Sequence, residues 1–214
     1  MTGTGQQHPG VPVDSRRRWG GRLAHLAPAD LNPDQRVLYD YLQAGPLPWA
    51  KQSGFTAQDD AGRLIGPFNA FLHSPRISRA YNDLLGVERA QTELSAPTRE
   101  IVILTVGVEW KADYEIYAHV AVARSVGVSD AVITALLESR TTEDFTAEQA
   151  AAHAFTQQLV RTREVDDPTY ARAESVFGTE GVIDLVHLIG LYLTTCALLN
   201  AFTIPAPPAS QEQR

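Results

Sequence analysis

The chain of 214 residues predicts an all-α fold, and three observations carry that expectation. Helix-start signals follow one another along its length. Apolar residues recur at three- and four-residue spacing, and alternating apolar–polar runs are nearly missing. Asn32-Pro33-Asp34 puts a capping side chain before a first-turn proline and opens a helix to about Leu42. Residues 44–65, interrupted by glycine and proline, read as a long connecting loop. Gly66-Pro67 starts a short helix carrying Phe68, Asn69, Phe71, Leu72 and His73. Ser74-Pro75 starts another that ends at Gly86. Ser95-Ala96-Pro97 opens a helix to about Trp110, and the next spans roughly 112–126 and stops at Gly127. Ser129 caps a further helix, and Thr146-x-x-Gln149 fits a capping box for one reaching about Arg163. Asp167-Pro168 begins a short helix ending at Gly178. Thr179 then caps the longest, which runs to about Phe202 before the breaker Ile204-Pro205-Ala206-Pro207-Pro208. Eight or nine helices are expected.

These elements fit a single helical domain over 23–204, between flexible tails at 1–22 and 205–214. Ser15-Arg16-Arg17-Arg18-Trp19 is followed by a polar, glycine-rich stretch and not by an apolar export core, so a cytoplasmic location is expected. Eighteen Lys+Arg against 25 Asp+Glu leave a net charge of −7, which argues against a nucleic-acid partner. No uninterrupted apolar run reaches the ~18–20 residues of a bilayer span, so no membrane partner is expected. Cys196 is the only cysteine, which excludes a disulfide framework, a CxxC redox pair and a cysteine zinc site. The helix from Gly181 is apolar on nearly every side, through Val182, Ile183, Leu185, Val186, Leu188 and Ile189. Such a helix belongs in a core or against another subunit, so a homo-oligomer (dimer, trimer or hexamer) is expected.

The segment from Glu100 to His119 carries the chemistry. Glu115 and His119 stand four apart, one turn above one another on one helix face. Their neighbours Ile116, Ala118, Val120 and Val122 are apolar. Buried there, carboxylate and imidazole share a proton and make an acid/base pair near neutral pH. In open solvent the same spacing is an ordinary surface pair worth a few tenths of a kcal/mol. Glu100, early in the preceding helix, suits the helix dipole as well as a site.

Ser95-Ala96-Pro97-Thr98-Arg99-Glu100-Ile101, followed by Tyr114-Glu115, His119 and Gly127, resembles the carboxymuconolactone decarboxylase / alkylhydroperoxidase-D-like family. The likeness is best over about 94–138 and extends unevenly from Gly62 to Phe202. It implies that family's helical fold with extra N-terminal helices. The family's peroxidase branch has Cys-x-x-Cys with a histidine four residues after the second thiol. With His119 as that histidine, the two thiol positions fall on Ala112 and Glu115, and the upstream glutamate falls on Glu100. Thiol peroxidase chemistry is therefore excluded. The cysteine-less decarboxylase branch carries Glu-x-x-x-His, as Glu115 to His119 does.

The resemblance thus implies a cofactor-free lyase decarboxylating a small lactone or unsaturated acid. His119 would be the proton donor, Glu115 would set its tautomer and pKa, and Glu100 would orient His119 or relay the proton. The alternatives are an isomerase or dehydratase in a biosynthetic pathway and a non-catalytic ligand-binding member. Asn69 and His73, four apart, are candidates to bind substrate oxygens, although a histidine ending a helix more often satisfies carbonyls. Trp110 and Tyr114, with Tyr117, are candidates for an aromatic wall. No metal is expected, since the paired Glu-x-x-His signature is missing. His153 reads as solvent-facing and His187 as a core or interface histidine.

Overall fold

The computed structural model describes residues 19–208; the expected tails over 1–18 and 209–214 lie outside the described residues. A 3-10 turn, Pro28–Asp30, precedes nine α-helices among the described residues. They are α1 (Pro33–Ala44), α2 (Pro46–Gln52), α3 (Pro67–Leu72), α4 (Pro75–Gln91), α5 (Ala96–Glu109), α6 (Asp113–Ser125), α7 (Asp130–Leu137), α8 (Ala147–Thr162) and α9 (Asp167–Ala201). The start signals act as expected. Asn32 and Thr146 both form complete capping boxes, with Gln35 and Gln149. Ser95 and Ser129 accept the amides of Thr98 and Val132.

Three expectations are corrected. The supposed loop at 44–65 contains α2: Pro46 and Pro48 fall in its first turn, where amides lack intrahelical partners anyway, and Leu47 and Ala50 are buried. Helix α4 passes through Gly86 to Gln91, because Glu88 in its last turns is drawn into the interior by an ion pair with Arg99. Helix α9 is apolar enough over part of its 35 residues to cross a bilayer by length and composition. Its apolar residues Leu185, Leu188, Ile189 and Leu199 are spent instead on the interior, and Asp184 accepts the Thr92 hydroxyl at 2.8 Å. The expected break at Gly178 is present, as a positive φ of 66° with an extended ψ of 175°. Outward, Ile183 and Val186 stay exposed, on the surface where the sequence expects a second subunit.

Helix α5 is the axis of the fold, with every residue from Thr98 to Gly107 buried. It packs against α6, α7, α8 and α9. Helices α1–α4 form a second layer that reaches α9 through α3 and α4. One hydrophobic cluster joins the layers, from Leu38, Leu42 and Leu72 to Val102, Leu185 and Leu188. A smaller one, with Ile101, Leu104 and Ile133, lies under α7.

The segment before α1 is fastened down. The Arg22 amide donates to Phe202 O at 2.8 Å, and the His25 ring meets Leu64 O at 2.9 Å. Residues 19–22, inside the expected tail, are thus tied to the helical body.

Candidate active site

Two helices bring the three expected acid/base residues together. Glu100 projects from the second turn of α5, and Glu115 and His119 from α6. Gly107 of α5 faces the Glu115 stem, where an added Cβ would sit 3.5 Å from Cγ. His119 Nδ1 hydrogen-bonds Glu100 Oε2 at 2.7 Å. Its Nε2 lies 3.2 Å from Glu115 Oε1, within ion-pair reach but outside hydrogen-bond geometry, which leaves that oxygen sealed and unpartnered. Exposure of the three is 6 %, 6 % and 3 % for Glu100, His119 and Glu115, which removes the surface-pair reading.

Burial raises the Glu115 pKa from 4.5 to about 6; the His119 charge opposes that rise and Glu100 adds to it. Burial alone would lower His119, but the Glu100 and Glu115 carboxylates and the Glu100 hydrogen bond override it and hold its pKa above 6.5. The Arg99 charge acts against that rise. The result is an imidazole between two carboxylates, its Nδ1 committed and its Nε2 beside a carboxyl that titrates close to neutrality.

The three residues open on a cavity of roughly 600 Å³ between the two helical layers. Phe55, Phe68, Leu94 and Val122 give it apolar walls. Tyr192 of α9 packs edge-on to the His119 ring at 5.1 Å, and Trp49 of α2 lies 6.5 Å from it. No protein group hydrogen-bonds the Tyr192 hydroxyl among the described residues. Arg99 and Arg89 also line the cavity, the latter with its guanidinium 4.3 Å over the Trp49 ring. Sequence reasoning missed Trp49, Arg89, Arg99 and Tyr192 as site residues. Trp49 sat in the supposed loop, and Tyr192 was indistinguishable from its apolar helix.

Tyr114 does line the cavity, buried, with its hydroxyl donating to Thr56 O at 2.9 Å. Its ring occupies the space where a side chain at Gly66 would be: a Cβ there would lie 2.1 Å from it, and φ at Gly66 is +65°. Asn69, His73 and Trp110 are not brought to the cavity. Asn69 is fully buried and donates to Ala24 O while accepting the Leu26 amide, both at 3.1 Å. The His73 ring reaches the same Ala24 carbonyl at 2.9 Å. Both residues pin the entering segment. Trp110, the C-cap of α5, is 38 % exposed, and its carbonyl accepts from Asn200.

His153 is not solvent-facing as expected, and of the two places expected for His187 the core is excluded. His153 is 2 % exposed and bonds Thr105 Oγ1 at 2.9 Å, whereas His187 is on the surface. Cys196 is buried, and burial, with Glu115 nearby, pushes its thiol far up, so it supplies no thiolate. Among the described residues no group of three or more His, Cys, Asp or Glu is arranged to hold a metal.

Comparison with known proteins agrees with the fold. Residues 75–158 match the model of the carboxymuconolactone decarboxylase family. No curated protein matches the chain. Among solved structures, an uncharacterized peroxidase-related protein from Silicibacter sp. TM1040 superposes with a TM-score of 0.68 at 15 % identity, over 91 % of this chain and 94 % of that one. A peroxidase-related protein with an alkylhydroperoxidase core, from Ralstonia eutropha JMP134, gives 0.67 at 15 % identity, over 90 % and 93 %. A debrominase crystallised with 2,3,4-tribromopyrrole gives 0.63 at 16 % identity, over 78 % and 87 %.

Proposed function

We propose, from the premise that residues 75–158 belong to the carboxymuconolactone decarboxylase family, that this cavity performs proton-transfer catalysis on a small lactone or unsaturated carboxylic acid, with decarboxylation as its reaction. The observation that carries the reading is the buried Glu100–His119–Glu115 array facing a walled cavity of roughly 600 Å³. Glu100 keeps the orienting role that the resemblance implies, whereas Glu115 takes a different one. Glu100, bonded to Nδ1, fixes the ring orientation and directs Nε2 toward the cavity and Glu115. Glu115, with its pKa near 6, is the group that exchanges a proton with Nε2.

In such a reaction the bond between carbon and the departing carboxylate breaks. Its electron pair passes through the conjugated system to the carbonyl oxygen, and carbon dioxide leaves. The Tyr192 hydroxyl is a free donor for that developing oxyanion. His119 Nε2–H then protonates carbon, the carbonyl re-forms, and Glu115 or water restores the imidazole proton. Apolar walls favour the first step, because a carboxylate out of water is closer in energy to neutral carbon dioxide.

The test is carbon dioxide release from 4-carboxymuconolactone and related unsaturated acids by the wild type, His119→Ala and Glu115→Gln. Release by the wild type that collapses in both variants is the expected outcome. Substrate consumed without release moves the same residues to isomerisation or dehydration. Release unchanged in His119→Ala removes the array from the chemistry.

A further inference from the structure

Arg99 has an arrangement that the acid/base array leaves unexplained. It lies one residue before Glu100 on α5, is 8 % exposed, and lines the same cavity. Its Nη1 is held by Glu88 Oε1, from the last turns of α4. That is the guanidinium's one protein acceptor among the described residues, and none of its other nitrogens, though unpartnered, is sealed from solvent space. Glu88, also 8 % exposed, leaves Oε2 buried without a partner. A buried ion pair with one hydrogen bond is under-satisfied, since desolvated charges need their remaining donors and acceptors met. A guanidinium has five donors in a planar fork matched to a carboxylate.

We infer that Arg99 is the carboxylate-binding residue of this cavity: Glu88 clamps one corner of the guanidinium, and its free edge receives a carboxylate of the bound molecule beside His119. The inference rests on the cavity being the ligand site proposed above and names what that site selects. Arg89 extends the same preference outward. It is exposed, stacks on Trp49 at the cavity wall, and has no carboxylate partner among the described residues. An incoming anion therefore meets a cation before it meets Glu100 and Glu115. The ligand class is an acid with an apolar, unsaturated or aromatic body, its carboxylate on Arg99 and its carbon skeleton among Phe55, Phe68 and Leu94.

The probes are trans-cinnamate and its neutral isostere cinnamamide, titrated against the full chain and followed by Trp49 fluorescence. Trp49→Phe, which removes the signal from the cavity wall, assigns it. The wild type should bind cinnamate at least about tenfold tighter than cinnamamide, the scale of one charge-assisted contact. Arg99→Gln should lose about ten- to a hundredfold for cinnamate and leave cinnamamide within about twofold. Because Arg99→Gln strands Glu88 in the interior, the double variant Glu88→Gln/Arg99→Gln is measured beside it; both charges are gone, and the same selective loss is expected. Cinnamate bound equally well by the double variant overturns the assignment. So does a wild type that binds the acid no better than the amide, or binds neither. Selective binding through Arg99 in a protein that releases no carbon dioxide sinks the lyase reading and leaves this one standing.

Discussion

His119 and His153 are both buried, both bonded to a side chain of α5, and opposite in electrostatic character. His119 meets a carboxylate on each nitrogen's side, and its pKa is raised. His153 meets the Thr105 hydroxyl and the Phe145 ring at 5.2 Å; burial lowers its pKa, Arg161 reinforces this, and Glu109 only partly opposes it. Burial is common to the two, so burial does not decide which ring carries a proton at neutral pH. The charge of the partner does. The second difference is access: His119 borders a cavity, whereas His153 Nε2 is sealed without a partner. On the function proposed above, His119 exchanges protons with a ligand, whereas His153 fills a core.

The largest effect that separates them is on turnover. His119→Ala should cost about 10²- to 10⁴-fold in kcat, the range of a general acid, while His153→Ala should leave kcat within a few fold at temperatures where it stays folded. Equal losses in both, measured as carbon dioxide release, would erase the distinction.

A smaller effect tests the charge balance of the array through stability. Glu115 has a folded pKa of about 6 against 4.5 for the free group, so between those values the folded state binds more protons than the unfolded one. Stability therefore falls as pH rises through that window and stays lower above it. A shift of this size corresponds to about 2 kcal/mol. Glu115→Gln should be more stable than wild type by about that amount at pH 8 and equal to it at pH 4, by urea denaturation. A variant less stable at pH 8 would mean that the fold lowers the Glu115 pKa instead of raising it.

The smallest effect concerns the sign of the two histidine contributions. His119, raised, contributes stability that is present below 6.5 and lost as pH rises through its folded pKa. His153, lowered, contributes stability that is present above 6.5 and lost as pH falls toward its folded pKa. His153→Gln should flatten the acid limb of the stability profile, and His119→Gln the neutral-to-basic limb.

Helix starts and stops were legible in the sequence because they are local. Asn32 with Gln35, Thr146 with Gln149 and Gly178 each act within four residues of themselves. Helix α2 was not, because two prolines in one first turn look like breakers until Leu47 and Ala50 find a core. The Glu115–His119 pair was legible from helical spacing. Its bond to Glu100 was implied only by resemblance, since it crosses from one helix to another. Asn69 and His73 were misplaced for the converse reason. Their spacing is right for a shared face, but that face meets Ala24 and Leu26, a contact 43 to 49 residues away in sequence. Arg99 and Tyr192 carry no local mark, because each acquires its meaning from an element remote in the chain.

The most direct measurement is the NMR titration of the histidine rings in the wild type and in Glu100→Gln. His119 should titrate above 6.5 and His153 below it, and Glu100→Gln should bring His119 down while leaving His153 in place. A His119 midpoint below 6.5 in the wild type, or one that does not move in Glu100→Gln, would contradict an imidazole held charged between two carboxylates.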